Sequence, residues 1–162
     1  MKLFLIGATG RTRSEIVKQA LTRNDELVAY VRNPSKLNIN DPELTVIKGQ
    51  LDDVAKMASE MKGCNAVLVT LGNPISNSSG KLFSFAIPDI IKAMDQAKIK
   101  RLISLSALGV GTTLANTSYP YRMGAKGFLK GNFSDHEAGE SQLKNSDLNW
   151  TTVHPGPLFN GK

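Results

Sequence analysis

The chain opens Met-Lys-Leu-Phe-Leu-Ile-Gly-Ala-Thr-Gly-Arg-Thr-Arg, an apolar strand that runs straight into a glycine turn. A strand over Leu3–Ile6 cannot extend through that turn, and residues 11–23 behind it put Ile16, Val17, Ala20 and Leu21 on one helical face. The N-terminus is thereby committed to a βα unit. Its turn and helix start present free backbone N–H groups, a favourable setting for negative charge. Gly7 permits the tight turn, and Gly10 lets the backbone N–H groups come close to a phosphate. Arg13 stands where a third glycine would let the helix settle onto the strand, so either the helix is displaced or the turn shifts and the side chain escapes to solvent, and weakened phosphate binding is expected.

The same rhythm continues. Strands are predicted at Leu27–Arg32, Leu44–Lys48, Ala66–Leu71, Arg101–Ser106 and Trp150–His154. Helices are predicted from a cap at Asp52 or Asp53 to Met61, within 82–98, and from Ser134 or Asp135 to near Asn145. Pro88 must begin or kink the second of these. Strands alternating with helices imply an α/β fold, a doubly wound parallel sheet of order 3-2-1-4-5-6 with flanking helices. Its ligand crevice lies at the C-terminal ends of the strands. Two stretches read as loops, 72–80 and 107–133, and the second is expected to form a mobile flap beside the crevice.

A length of 162 residues, with 41% hydrophobic and 21% charged content, suits one soluble domain with a real core. A single cysteine, Cys64, excludes an intrachain disulfide framework, and no apolar run reaches membrane-spanning length, so no membrane partner is expected. The expected compartment is the cytoplasm. The net charge of +6 is scattered and comes with few aromatics and no nucleic-acid motif, so the cations are assigned to solvated surface and to an anionic small molecule. Two distant histidines and one cysteine give no metal-ligand spacing, and no metal is expected.

Residues that directly follow the strands are the site candidates. After the second strand comes Arg32-Asn33-Pro34-Ser35-Lys36, where a dinucleotide site specific for NAD would carry an acid. Arg32 and Lys36 suit a 2′-phosphate, and the Ser35 hydroxyl can donate to it, which selects NADP(H) as cofactor. Arg11 and Thr12, at the first helical turn, can donate to the pyrophosphate beside Gly7 and Gly10. Gln50 and Leu51 follow the third strand, toward adenine, and Leu71 and Gly72 follow the fourth, toward a ribose. Ser104, Ser106, His136 and His154 are the polar residues nearest the reaction centre. They do not read as a hydrolase, because no G-x-S-x-G elbow is present and no acid is evident behind a histidine.

Several segments together resemble the atypical short-chain dehydrogenase/reductases, in particular the NmrA-like and biliverdin-IXβ (flavin) reductase branch. They are Gly7-Ala8-Thr9-Gly10-Arg11-Thr12, Val31-Arg32-Asn33-Pro34-Ser35-Lys36, Lys100-Arg101-Leu102-Ile103-Ser104-Leu105-Ser106, Ser134-Asp135-His136-Glu137-Ala138-Gly139-Glu140 and Leu148-Asn149-Trp150-Thr151-Thr152-Val153-His154-Pro155-Gly156. The resemblance implies a Rossmann-type NADP(H)-binding domain, with Thr9 also at the pyrophosphate, Ser106 beside the nicotinamide and His154 and Pro155 flanking the ring. Ser106 and His136 are then the expected catalytic pair. Where typical members carry Tyr-x-x-x-Lys, this chain has Asn132 and His136, and Tyr121 does not restore the pair because Ala125 follows it. The implied activity is hydride transfer from NADPH to a small planar acceptor such as a flavin, quinone or tetrapyrrole. The alternative is a non-catalytic NADP(H) sensor of the NmrA type. Members of the group continue beyond the His-Pro-Gly segment, so this chain reads as C-terminally short, with an apolar edge near Trp150 and Leu158 open to self-association as a homo-oligomer.

Overall fold

The computed structural model describes residues 1–8, 11–72, 81–117 and 130–156, without the side chains of 11–13 and 116. The elements run β1 (Lys2–Ile6), α1 (Arg11–Thr22), β2 (Glu26–Val31), β3 (Leu44–Lys48), α2 (Val54–Met61), β4 (Ala66–Val69), α3 (Leu82–Ala97), β5 (Arg101–Leu105), α4 (Lys130–Lys144) and β6 (Asn149–Val153). All strand pairs are parallel, in one six-stranded sheet of order β3-β2-β1-β4-β5-β6. The doubly wound order expected from the sequence is the order found. No helix among the described residues is long and apolar enough to cross a membrane.

The period-two alternation of strand side chains divides the core between the two faces of the sheet. Phe4, Ile6, Val28, Tyr30, Val67, Val69 and Leu102 point to one face, where Met57 and Met61 of α2, Ile87, Ile90 and Met94 of α3 and Leu143 of α4 cover them. Leu5, Leu27, Ala29 and Val31 point to the other, where α1 supplies Val17 and Ala20. Asp53 caps α2, its carboxylate accepting from Lys56 N at 3.1 Å. α3 runs through Pro88 rather than starting at it.

Most boundaries fall within a residue of the sequence reading, and two larger differences stand out, at β4 and α4. β4 ends at Val69, and the Thr70 N–H still donates to the Ile6 carbonyl at 3.0 Å. The Thr70 hydroxyl donates to the carbonyls of Ile6 (3.0 Å) and Gly7 (3.1 Å), tying the end of β4 to the first turn. Helix α4 begins at Lys130, so neither Ser134 nor Asp135 opens it. The Asp135 carboxylate caps a different helix. It accepts from the backbone N–H groups of Phe83 and Ser84, both at 2.9 Å, and from the Ser84 hydroxyl at 2.9 Å. A buried anion at the first turn of α3 satisfies donors that the helix leaves free and complements its dipole.

Asp135, Gly139 and Leu143 form the buried stripe of α4. Gly139 permits the close approach to α3, since a Cβ there would lie 3.0 Å from Phe83 Cβ and 3.1 Å from Ile87 Cγ1. The side chain of Arg13, the flap core at 118–129 and Leu158 lie outside the described residues.

Asp135→Ala removes the cap of α3 and leaves buried donors unpaired, and should cost about 2 kcal/mol of stability, with Asp135→Asn costing less. Chemical denaturation of the two variants against the parent checks this. Gly49→Ala is expected to lower the melting temperature as well. A Cβ at Gly49 would fall 2.0 Å from the ring of buried Tyr30, whose hydroxyl donates to the Gln50 carbonyl at 3.0 Å. The ring must then leave its place, at about 1–3 kcal/mol.

Candidate functional site

The crevice forms at the strand C-termini, at the point between β1 and β4 where the strand order reverses. Gly7 adopts φ +87°, and a Cβ on it would stand 3.0 Å from the Thr70 carbonyl oxygen. No side chain fits between the two strand ends, so the first turn can only be glycine, and the backbone there is open to a ligand. Beside it lies a cavity of about 250 Å³ whose walls include Gly7, Arg32, Asn33, Lys36, Leu51, Leu71 and Gly72. No described residue that lines it is acidic. A neighbouring cavity of about 420 Å³ shares Arg32, Leu51 and Leu82 and adds Gln50, the exposed ring of Phe85 and two acids, Asp52 and Asp89.

The structure thus brings together Gly7, Arg32, Lys36, Gln50, Leu51, Leu71 and Gly72 of the residues expected around a dinucleotide. Ser35 is not part of the lining. It stands in a 3₁₀ turn, Pro34–Lys36, and its N–H and hydroxyl both donate to Asn33 Oδ1, at 3.1 and 2.7 Å. Thr9 and Gly10 lie outside the described residues. Arg11 and Thr12 are in the first turn of α1, with their side chains outside them.

A second constellation sits at the ends of β5 and β6. Ser104 is buried within β5. Ser106 follows β5, and its hydroxyl donates to Glu140 Oε1 at 2.6 Å, with His136 Nδ1 at 3.4 Å. His154 follows β6. Its Nδ1 lies 3.1 Å from the Ala107 carbonyl, and its Nε2 lies 3.3 Å from the same Glu140 oxygen and 3.2 Å from Thr152 Oγ1. Pro155 returns a carbonyl to Leu108 N at 2.9 Å, which holds the chain after β6 against the chain after β5.

These contacts follow from the stripe on α4 adjacent to its core stripe. Asn132, His136 and Glu140 recur at every fourth position and share one side of the helix. Asn132 Oδ1 is buried and accepts no hydrogen bond among the described residues. His136 stacks on Phe83, ring centroids 3.8 Å apart. Burial drives the His136 imidazole down to about 4, against a smaller opposing effect of the Asp135 charge, so the ring is neutral near pH 7.

Glu140 is the residue that sequence reasoning missed. The acid sought behind a histidine is present, but it comes from a helix far along the chain and bonds the serine directly. The only available signal was its helical phase with His136. Because Glu140 already accepts the hydrogen bond of the Ser106 hydroxyl, the arrangement differs from a Ser-His-acid hydrolytic relay, in which the acid lies behind the histidine.

His136 binds its proton less readily in the folded chain than in the unfolded one, so the unfolded state takes up the extra proton as the pH falls from about 6.5 to about 4. Stability should therefore be full above pH 6.5 and decline through that window by an amount on the order of 2–3 kcal/mol. His136→Gln should remove that part of the decline, read from denaturation midpoints across pH.

Comparison with known proteins agrees with this geometry. The family described as NAD(P)H-binding matches residues 7–162. An uncharacterized chloroplastic protein of Arabidopsis thaliana is 26% identical over 98% of this chain, and this chain spans 60% of its length. Among solved structures, the oxidoreductase ylbE of Lactococcus lactis superposes with a TM-score of 0.84 at 21% identity, covering 100% of this chain and 72% of that one. ChuY, an anaerobillin reductase of Escherichia coli O157:H7, superposes with a TM-score of 0.78 at 20% identity, covering 99% and 75%. A match over nearly the whole chain, on a sheet of this order with a glycine turn at its switch point, makes this protein a member of the NAD(P)H-binding family.

Proposed function

We propose that this protein binds NADP(H) and reduces a small planar acceptor of the flavin, quinone or tetrapyrrole class. The observation that carries the cofactor choice is the cavity wall at the end of β2, where Arg32 and Lys36 stand together and no described lining residue is acidic. A 2′-phosphate meets two cations there, whereas the free 2′-hydroxyl of NAD would lack the carboxylate that normally receives it. Gly7 holds the turn open for the pyrophosphate. Leu51, Leu71 and the Tyr30 side offer apolar walls to the adenosine half. Bound NADPH supplies a hydride, and the chain's own groups orient it and the acceptor.

The acceptor end is assigned to the cluster after β5 and β6. Ser106 and neutral His136 are the polar groups that touch the acceptor or the nicotinamide side. The buried Asn132 oxygen accepts no hydrogen bond among the described residues, and a ligand N–H or O–H would satisfy it. A planar acceptor fits this reading because the chain carries no Tyr-x-x-x-Lys pair with which to protonate a simple alkoxide. The likeness in fold to ChuY, an anaerobillin reductase, supports the reductase reading. If no acceptor is reduced, the alternative is an NADP(H) sensor, and nucleotide binding without turnover is its signature.

Arg32→Ala should lower NADP affinity by about 1.5–3 kcal/mol and leave NAD affinity nearly unchanged, since one charge-assisted phosphate contact is lost. Calorimetric titration with both nucleotides measures the ratio. An unchanged NADP/NAD ratio would remove the cofactor assignment.

A further inference from the structure

Glu140 and His154 meet at one oxygen atom, and their protons can be placed. The Ala107 carbonyl can only accept, so at 3.1 Å it fixes a proton on His154 Nδ1. His154 Nε2 is then the nitrogen that gains or loses a proton. It faces Glu140 Oε1 at 3.3 Å, and that oxygen also lies 2.6 Å from Ser106 Oγ, the length of a bond in which one oxygen is charged or the proton is closely shared. Both side chains are largely withdrawn from water, Glu140 at 11% exposure and His154 at 15%. Among the described residues, the titratable side chain beside the pair is His136, from the same helix as Glu140, while the neighbouring Asp135 carboxylate is held by the first turn of α3. The 3₁₀ segment that passes Glu140, Gly111–Asn116, carries no charge.

We propose that Glu140 and His154 hold one proton in common and pass it through the Ser106 hydroxyl to the acceptor, so that the pair supplies the proton for which the chain has no tyrosine. This rests on the reductase reading. The two forms of the pair, imidazolium with carboxylate and imidazole with carboxylic acid, contain the same number of protons. In the first, Ser106 donates to Glu140 and its hydrogen is turned away from the crevice. In the second, the Glu140 O–H donates to Ser106 Oγ, and the Ser106 hydrogen is released toward the acceptor. When the acceptor gains the hydride and its two electrons from NADPH, the Ser106 O–H bond breaks as a new bond forms from the acceptor to that hydrogen. The Glu140 O–H bond breaks as Ser106 regains its own. The acceptor has gained two electrons and two hydrogens, and the pair is left as carboxylate and neutral imidazole until a proton returns from water. His136 stays neutral because of its burial, and so does not compete as the donor. Ser106 is the catalytic residue in this scheme, and Glu140 and His154 are positioning residues that act through it.

The test uses the full 162-residue chain and two readouts. In nitrogen-15 spectra of the histidine side chains, recorded from about pH 5 to 9, His154 Nδ1 should keep its proton throughout and Nε2 should be the nitrogen that responds. Glu140→Gln should displace that response, and Glu140→Asp should restore part of it. In NADPH oxidation with free flavin, Glu140→Gln should lower kcat by about 100-fold with NADPH affinity unchanged, and should flatten the pH–rate profile. Glu140→Asp should recover a measurable share of both. A Glu140→Gln variant with parental kcat and pH profile, or a His154 whose Nδ1 is the responding nitrogen, overturns the proposal. A parent chain that oxidises NADPH with no flavin, quinone or tetrapyrrole overturns the reductase reading and the delivery step with it, while the spectra still decide separately whether the proton is shared.

Discussion

A single buried carboxylate sets the position of most of the polar cluster at the ends of β5 and β6. Asp135 accepts three hydrogen bonds from the first turn of α3, and it does so from α4. The two helices are otherwise in apolar contact, which is not directional. The charge-assisted bonds fix both the height and the rotation of α4 relative to α3. Gly139 then lets the helices close, one turn further along. With Asp135 and Gly139 directed at α3, the residues one helical position on, His136 and Glu140, are directed at the ends of β5 and β6. The polar cluster is therefore a consequence of the α3–α4 seam.

The cofactor end depends on a different constraint, the crossing of the first turn by the end of β4. Thr70 bonds the carbonyls of Ile6 and Gly7, and Gly7 has no room for a side chain against it. That contact holds the switch point at a fixed width. Tyr30 makes an equivalent arrangement at the other side of the cavity, where its ring occupies the space that a side chain on Gly49 would need. Two glycines at strand ends, far apart in sequence, thus shape one crevice by omission. The cations that colour it come from the turn after β2, where Asn33 organises the backbone and Lys36 and Arg32 line the wall.

Much of the fold was legible in the sequence because it rests on local patterns. The apolar runs, the helical phase of Ile16, Val17 and Ala20 and the Asp53 cap are each contained in a dozen residues, and parallel βα topology follows from their order. Boundaries decided by distant partners were not legible. β4 was read two residues too long because Thr70 is as compatible with a strand as with the clamp it makes. Asp135 was read as the opening of its own helix because a capping residue looks the same whichever helix it caps. That the Ser35 hydroxyl bonds Asn33 is likewise a matter of geometry that residue order does not disclose.

The sequence by itself determined the sheet order, the glycine turn and the basic turn after β2, since strand periodicity, turn chemistry and charge are properties of neighbouring residues. Only the tertiary structure decided which polar side chains meet. Ser106, Glu140 and His154 are separated by long stretches of chain and belong to three different elements, yet they share one oxygen atom. Helical periodicity can place Glu140 on the same side of α4 as His136, but it cannot say what that side faces. That is settled by the packing of α4 on α3 and by the parallel pairing of β5 with β6, which carries Ser106 and His154 to the same end of the sheet.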